Sequence, residues 1–182
     1  LIAGVLPGFA VAQDLSTRET GLSQPGVEKP LLAHWTFDEE GTSAVIRDVS
    51  RANGNDIEAK GAVSSTPGIY GKGIYFHGPT VLKVKGSMFP ADLKKITISA
   101  WTRPLDIGGG RAILRQESGN RSFLSLSYEK QDLYIIPVLD VNGSGCGGHI
   151  PAEKLLDGAW HHIAGTFDGE FNRVYLDGRE IR

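Results

Sequence analysis

Two Asp-Gly pairs, Asp168-Gly169 and Asp177-Gly178, lie nine residues apart near the end of the chain and bracket an alternating apolar run. Asp-Gly supplies the positive-φ positions that tight antiparallel hairpins need, because glycine carries no Cβ to clash there. Between the pairs, and just before the first, apolar and polar residues alternate. Ile163, Gly165 and Phe167 alternate with Ala164 and Thr166, and Val174 and Leu176 alternate with Arg173 and Tyr175. A period of two is the signature of a half-buried strand, so this segment is predicted to be an antiparallel meander with one apolar face.

The same punctuation recurs upstream. Strands are predicted at Ala33 to Phe37, Gly73 to Phe76, Val81 to Val84, Ile96 to Thr102, Ala112 to Arg115, Phe123 to Tyr128, Leu133 to Leu139, Trp160 to Phe167 and Val174 to Leu176. His77-Gly78-Pro79, Gly108-Gly109-Gly110, Gly119-Asn120 and Asn142-Gly143 separate them. Short strands at this spacing predict an all-β chain, a two-sheet antiparallel β-sandwich of jelly-roll type. The one helix candidate is Ala152 to Leu156, behind Pro151. Leu133 to Leu139 is apolar on both faces and is expected at the centre of the sandwich. Phe123 to Tyr128 places Leu124, Leu126 and Tyr128 opposite Ser125 and Ser127, so one face of its sheet is expected to be wet.

Four ordered segments resemble the laminin G-like jelly-roll family of the concanavalin A-like lectin/glucanase superfamily. They are LAHWTFDEEG with the loop DVSRANGND (residues 32–41 and 48–56), YGKGIYF (70–76), ITISAWTRP (96–104) and the terminal GAWHHIAGTFDGEFNRVYLDGREI (158–181). The resemblance covers roughly residues 31–182 and implies a lectin-like sandwich. It also implies closing strands beyond the Tyr175-Leu176-Asp177-Gly178 hairpin, so the domain is expected to be C-terminally truncated, with additional domains in a longer protein.

The chain has 182 residues, which suits one two-layer domain. Its net charge is −2, with no long run of either sign, so neither nucleic acid nor an anionic membrane is an expected partner. The start, LIAGVLPGFAVAQ, combines an apolar stretch with the small-residue pattern Ala10-Val11-Ala12. Residues 1–12 are therefore expected to be the remnant of a secretory signal peptide, residues 13–30 a polar linker and residues 31–182 the sandwich. That predicts a secreted, periplasmic or extracellular protein without a membrane span. The lone Cys146 lies in NGSGCGGH, where His149 is the only neighbouring metal-type ligand, so it reads as a loop residue.

Catalytic signatures are weak. Retaining glycosidases of the resembled superfamily carry Glu-x-Asp-x-x-Glu on one strand, which sets two carboxylates about 5 Å apart. The chain contains no such pattern, and Glu39-Glu40, as strand neighbours, would face opposite ways. Gly143, Gly145 and Gly148 mimic a dinucleotide fingerprint but precede His149-Ile150-Pro151 and not a helix. His161-His162 cannot chelate one ion as strand neighbours; one is expected at the core edge and one on the wet face. Trp35, Trp101 and Trp160 are expected to pack in the core.

Two constellations remain. Asp48, Asn53, Asn55 and Asp56 crowd oxygen ligands into one glycine-containing loop, which suits Ca²⁺ but is equally good turn chemistry. The resemblance keeps calcium open, since many laminin G-like domains hold it at a sandwich edge. Ser125 and Ser127, with His162 on a neighbouring strand, are the expected glycan-binding face. The function expected is thus a non-catalytic carbohydrate-binding module that binds a polysaccharide or other glycan. The alternative is a structural or adhesive module that binds protein or spaces its neighbours.

Overall fold

The computed structural model describes residues 2–5, 9–12, 31–39, 44–50, 54–84, 95–105, 111–118, 122–129, 132–135 and 148–181. Cys146, Asn53 and the segment 13–30 lie outside them. The strands are β1 (Ile2–Val5), β2 (Phe9–Ala12), β3 (Val45–Ile46), β4 (Ile57–Pro67), β5 (Lys72–Val84), β6 (Ile96–Pro104), β7 (Arg111–Ser118), β8 (Ser122–Glu129), β9 (Asp132–Ile135), β10 (Gly148–Pro151), β11 (His161–Phe167), β12 (Asn172–Leu176) and β13 (Arg179–Ile181). Every pairing among them is antiparallel, and the helical content of the described residues is one 3₁₀ turn, Ala152–Lys154. The expected all-β sandwich is what the chain forms.

β5 joins the two sheets. Its first half pairs through β2 to β6, β11, β12 and β13, and its second half pairs through β1 to β7, β8, β9 and β10, while β4 runs along its other edge. A strand can serve both sheets only if it bends, and the bend falls at Gly78, at φ 69°. β4 follows with a register shift between Lys60 and Ala62, where Gly61 stands at φ 129°. This is a bulge at a sandwich corner, the device by which strands pass from one sheet to the other. Thr80 locks it by donating its hydroxyl to the carbonyl of Ala62 at 3.1 Å. His77-Gly78-Pro79 is therefore a bend inside one long strand and not a turn between two.

The core lies between the sheets. Phe76, Leu82 and Val84 of β5, Ile57 and Val63 of β4, Ala100 of β6, Ile150 of β10, Ile163 of β11, Val174 of β12 and Leu155 after the 3₁₀ turn are buried in one cluster. Ile150 comes from the β1-side sheet and Ile163 from the β2-side sheet, so their shared burial fixes the face-to-face packing.

Two expectations need correction. Ala33 to Phe37 forms no strand, because Phe37 turns to φ 61°, outside the extended region. Trp35 is nevertheless buried, and its indole donates to the Asn55 carbonyl at 2.8 Å. β9, over Asp132–Ile135, lies next to β10, the edge strand among the described residues, and not at the centre of its sheet; residues 136–139 of the expected strand lie outside the described residues. Ile2–Val5 and Phe9–Ala12, within the segment expected to be a leader, pair with β5, β6 and β7; a short apolar run suits a sheet slot as well as a signal core. A mature chain beginning at Gln13 would lose both strands.

Candidate ligand-binding face

Strand parity decides which side chains of β6 and β11 see the core. Ala100, Thr102 and Pro104 face inward with His161, Ile163, Gly165 and Phe167, all buried. Thr97, Ser99, Trp101 and Arg103 share the opposite, outer face with His162, Ala164 and Thr166. Trp101 and Trp160 are consequently only half-buried, which corrects the expectation of core packing. The signal was present in ITISAWTRP, where Trp101 falls in phase with Thr97, Ser99 and Arg103.

His162 is directly opposite Trp101 across the β6–β11 ladder. Their ring centroids are 5.2 Å apart at a 56° tilt, a contact that fixes both rings. Two residues along, the Arg103 guanidinium lies over the Trp160 ring, 5.3 Å from its centroid. The Arg103 Nε is enclosed and has no hydrogen-bond partner. Burial holds the His162 pKa below its ordinary value, a shift that the charge of Asp177 partly offsets. The ring is therefore neutral at neutral pH, with one nitrogen donating and one accepting. Flat aromatic rings, a neutral imidazole and a guanidinium thus meet on a sheet face otherwise set with Ser, Thr and Ala. That combination offers an apolar platform and hydrogen-bonding groups together, as a pyranose requires.

A rigid frame carries this face. His161 is 7% exposed, and both of its ring nitrogens contact carboxylates: Nδ1 is 2.9 Å from Asp177 Oδ2 and Nε2 is 3.0 Å from Asp157 Oδ1. A carboxylate only accepts, so both nitrogens are donors and the ring is an imidazolium. Burial lowers its affinity for the proton, but the hydrogen bonds and charges of Asp177 and Asp157 outweigh it and hold the pKa above 6.5. Asp177 also accepts the backbone N–H of His162 at 2.8 Å. The β12–β13 turn, with Asp177 at φ 50° and Gly178 at φ 76°, is thereby tied to the strand that presents His162.

The other expected site residues lie elsewhere. Ser125 and Ser127 are on β8, opposite Arg115 and Ala112 of β7, in the β1-side sheet. His162 is on β11 in the β2-side sheet, so the fold does not bring these three residues onto one face.

In the 48–56 loop, Asp48 Oδ1 accepts from the N–H groups of His34 and Ser50, and Oδ2 accepts from that of Asn55. Asp56 accepts from the Asp48 N–H and from Arg47. Burial acts to raise the Asp48 pKa, but the donors from His34, Ser50 and Asn55 hold it below the usual carboxylate value. Asn55 donates its side-chain amide to the Leu32 carbonyl. The carboxylate oxygens of Asp48 and Asp56 thus accept from N–H donors, which is the turn chemistry of the loop, and Asn53 of the expected ligand set lies outside the described residues. Among the described residues no cluster of three or more His, Cys, Asp or Glu side chains could hold a metal ion.

Comparison with known proteins places this geometry in a family. The laminin G family model, described as concanavalin A-like lectin/glucanases superfamily, matches residues 79–182, more than half of the chain. The chain is also similar to the basement membrane-specific heparan sulfate proteoglycan core protein of Mus musculus, at 26% identity over 123 residues, or 65% of the chain. It spans only 3% of that relative's length. No solved structure gives a significant match. With the jelly-roll sandwich and the match over its C-terminal half in agreement, the chain belongs to the laminin G-like branch of the concanavalin A-like lectin/glucanase superfamily.

Proposed function

We propose that the chain is a non-catalytic carbohydrate-binding module of an exported protein, and that the outer face of β6 and β11 is its binding surface. The observation that carries this reading is the pairing of Trp101 with His162 beside the Arg103–Trp160 stack, half-buried on a sheet. A sugar ring can lay its C–H face on an indole while its hydroxyls meet the imidazole and the guanidinium. The lack of a Glu-x-Asp-x-x-Glu pattern supports binding without hydrolysis. An extracellular setting agrees with the basement-membrane name of the relative. No helix among the described residues is long and apolar enough to cross a membrane.

Affinity electrophoresis through gels cast with soluble polysaccharides tests the reading. At least one polymer should retard the protein while no reducing sugar appears on incubation. Release of reducing ends would make the domain an enzyme. Equal mobility in every gel would leave the structural or protein-binding alternative.

A further inference from the structure

We propose that this face recognises the interior of a linear glycan laid across the strands, with one ring at Trp101 and another at Tyr75 of β5. The proposal rests on the carbohydrate-binding reading and adds the length and direction of the ligand. β2 lies between β5 and β6, and Ala10 is directly opposite both Tyr75 and Arg103. Residues opposite one another on paired strands share a face. Tyr75 and Arg103 therefore lie on the same outer surface, two strand spacings or about 10 Å apart.

Tyr75 repeats the chemistry found on β6 and β11. Its ring meets that of His77 edge-on at 4.7 Å, and His77 Nε2 is 2.8 Å from Ser64 Oγ. Tyr75 is half-buried and His77 is exposed. The outer surface thus carries two aromatic–imidazole pairs, Trp101–His162 and Tyr75–His77, on opposite sides of β2. Their separation exceeds a single pyranose and suits linked rings. Arg103 shares β6 with Trp101 and stands in the cross-strand row of Tyr75, with an enclosed Nε still lacking an acceptor. An open surface with two platforms is suited to the middle of a chain, whereas recognition of a chain end needs a closed pocket.

Calorimetry with cello-, xylo-, manno- and galacturono-oligosaccharides, each from two to six rings, tests this on the wild type, Tyr75→Ala, His77→Ala and Trp101→Ala. For the series that binds, affinity should rise on the order of tenfold from two rings to six, the gain expected of a second aromatic contact. Tyr75→Ala should abolish that gain and leave disaccharide binding intact, whereas Trp101→Ala should weaken every length. His77 is exposed, so His77→Ala keeps the test valid if Tyr75→Ala alters the melting temperature; it should reduce the gain. Affinity independent of length, or hexasaccharide binding unchanged in both β5 variants but lost in Trp101→Ala, would reduce the site to one ring and overturn the inference while the carbohydrate reading stands. Absence of binding by the wild type at every length in all four series would remove both.

Discussion

Asp177 accepts a hydrogen bond from the buried His161 ring at 2.9 Å, and through it the last hairpin turn anchors the strand that displays His162. Asp157 completes the clamp from the loop that leads into Trp160. The frame behind the candidate face is therefore electrostatic as well as apolar. His161→Ala removes two hydrogen bonds to charged partners and is expected to cost about 1.5–3 kcal/mol in urea unfolding. It should also weaken carbohydrate binding, because Trp160 and His162 flank the clamp.

The clamp should make stability depend on pH. A folded-state pKa raised above 6.5 means that the native protein holds the His161 proton more tightly than the unfolded chain. That stabilisation is complete below about 6.5 and is lost as pH rises through the folded value. His162 acts in the opposite sense. Its lowered pKa gives a contribution present above 6.5 and lost as pH falls through its folded value. His162→Gln isolates the clamp: its melting temperature should hold below about pH 6.5 and fall as pH rises above that. A flat profile in this variant would mean that His161 is not held as an imidazolium.

The corner between the sheets should tolerate no side chain at position 61. A Cβ on Gly61 would lie 2.5 Å from Thr80 Oγ1 and 2.9 Å from the Thr80 Cα, at a φ of 129° that L-residues rarely adopt. Gly61→Ala is expected to cost on the order of 1–3 kcal/mol. Gly54→Ala has open space around its Cβ but a φ of 128°, so it serves as a control for backbone strain without the clash.

The 48–56 loop separates turn chemistry from metal binding. With Asp48 committed to three backbone N–H groups, Asp48→Ala should unfold more readily with or without metal, because three part-buried donors lose their acceptor. Millimolar Ca²⁺ should leave the wild-type melting temperature unchanged. A rise would mean that the loop rearranges into a cation site.

The sequence made the meander legible because Asp168-Gly169 and Asp177-Gly178 specify hairpins locally, and both are found where expected, between β11 and β12 and between β12 and β13. β4 escaped notice. IEAKGAVSSTP holds no sustained alternation, and its register depends on the bulge at Gly61, which only the partner strand defines. The binding face was half-legible. Parity identifies His162, but it gives no ground for separating it from Ser125 and Ser127, although the strand order places β8 and β11 in different sheets. Which strands become neighbours depends on long-range pairing through β5, and a period-two pattern carries no such information. The strand context of these large aromatics points Trp101 and Trp160 to the core, whereas the phase of Trp101 along β6 decides its face.

Glycan-array screening of the wild type beside Trp101→Ala tests the central claim most directly. The wild type should retain at least one class of linear glycan, and Trp101→Ala should lose most of that signal while keeping its melting temperature within a few degrees, since Trp101 lies on the outer face. Silence across the array, or a wild-type signal that survives Trp101→Ala undiminished, would contradict the assignment of this face as a carbohydrate-binding surface.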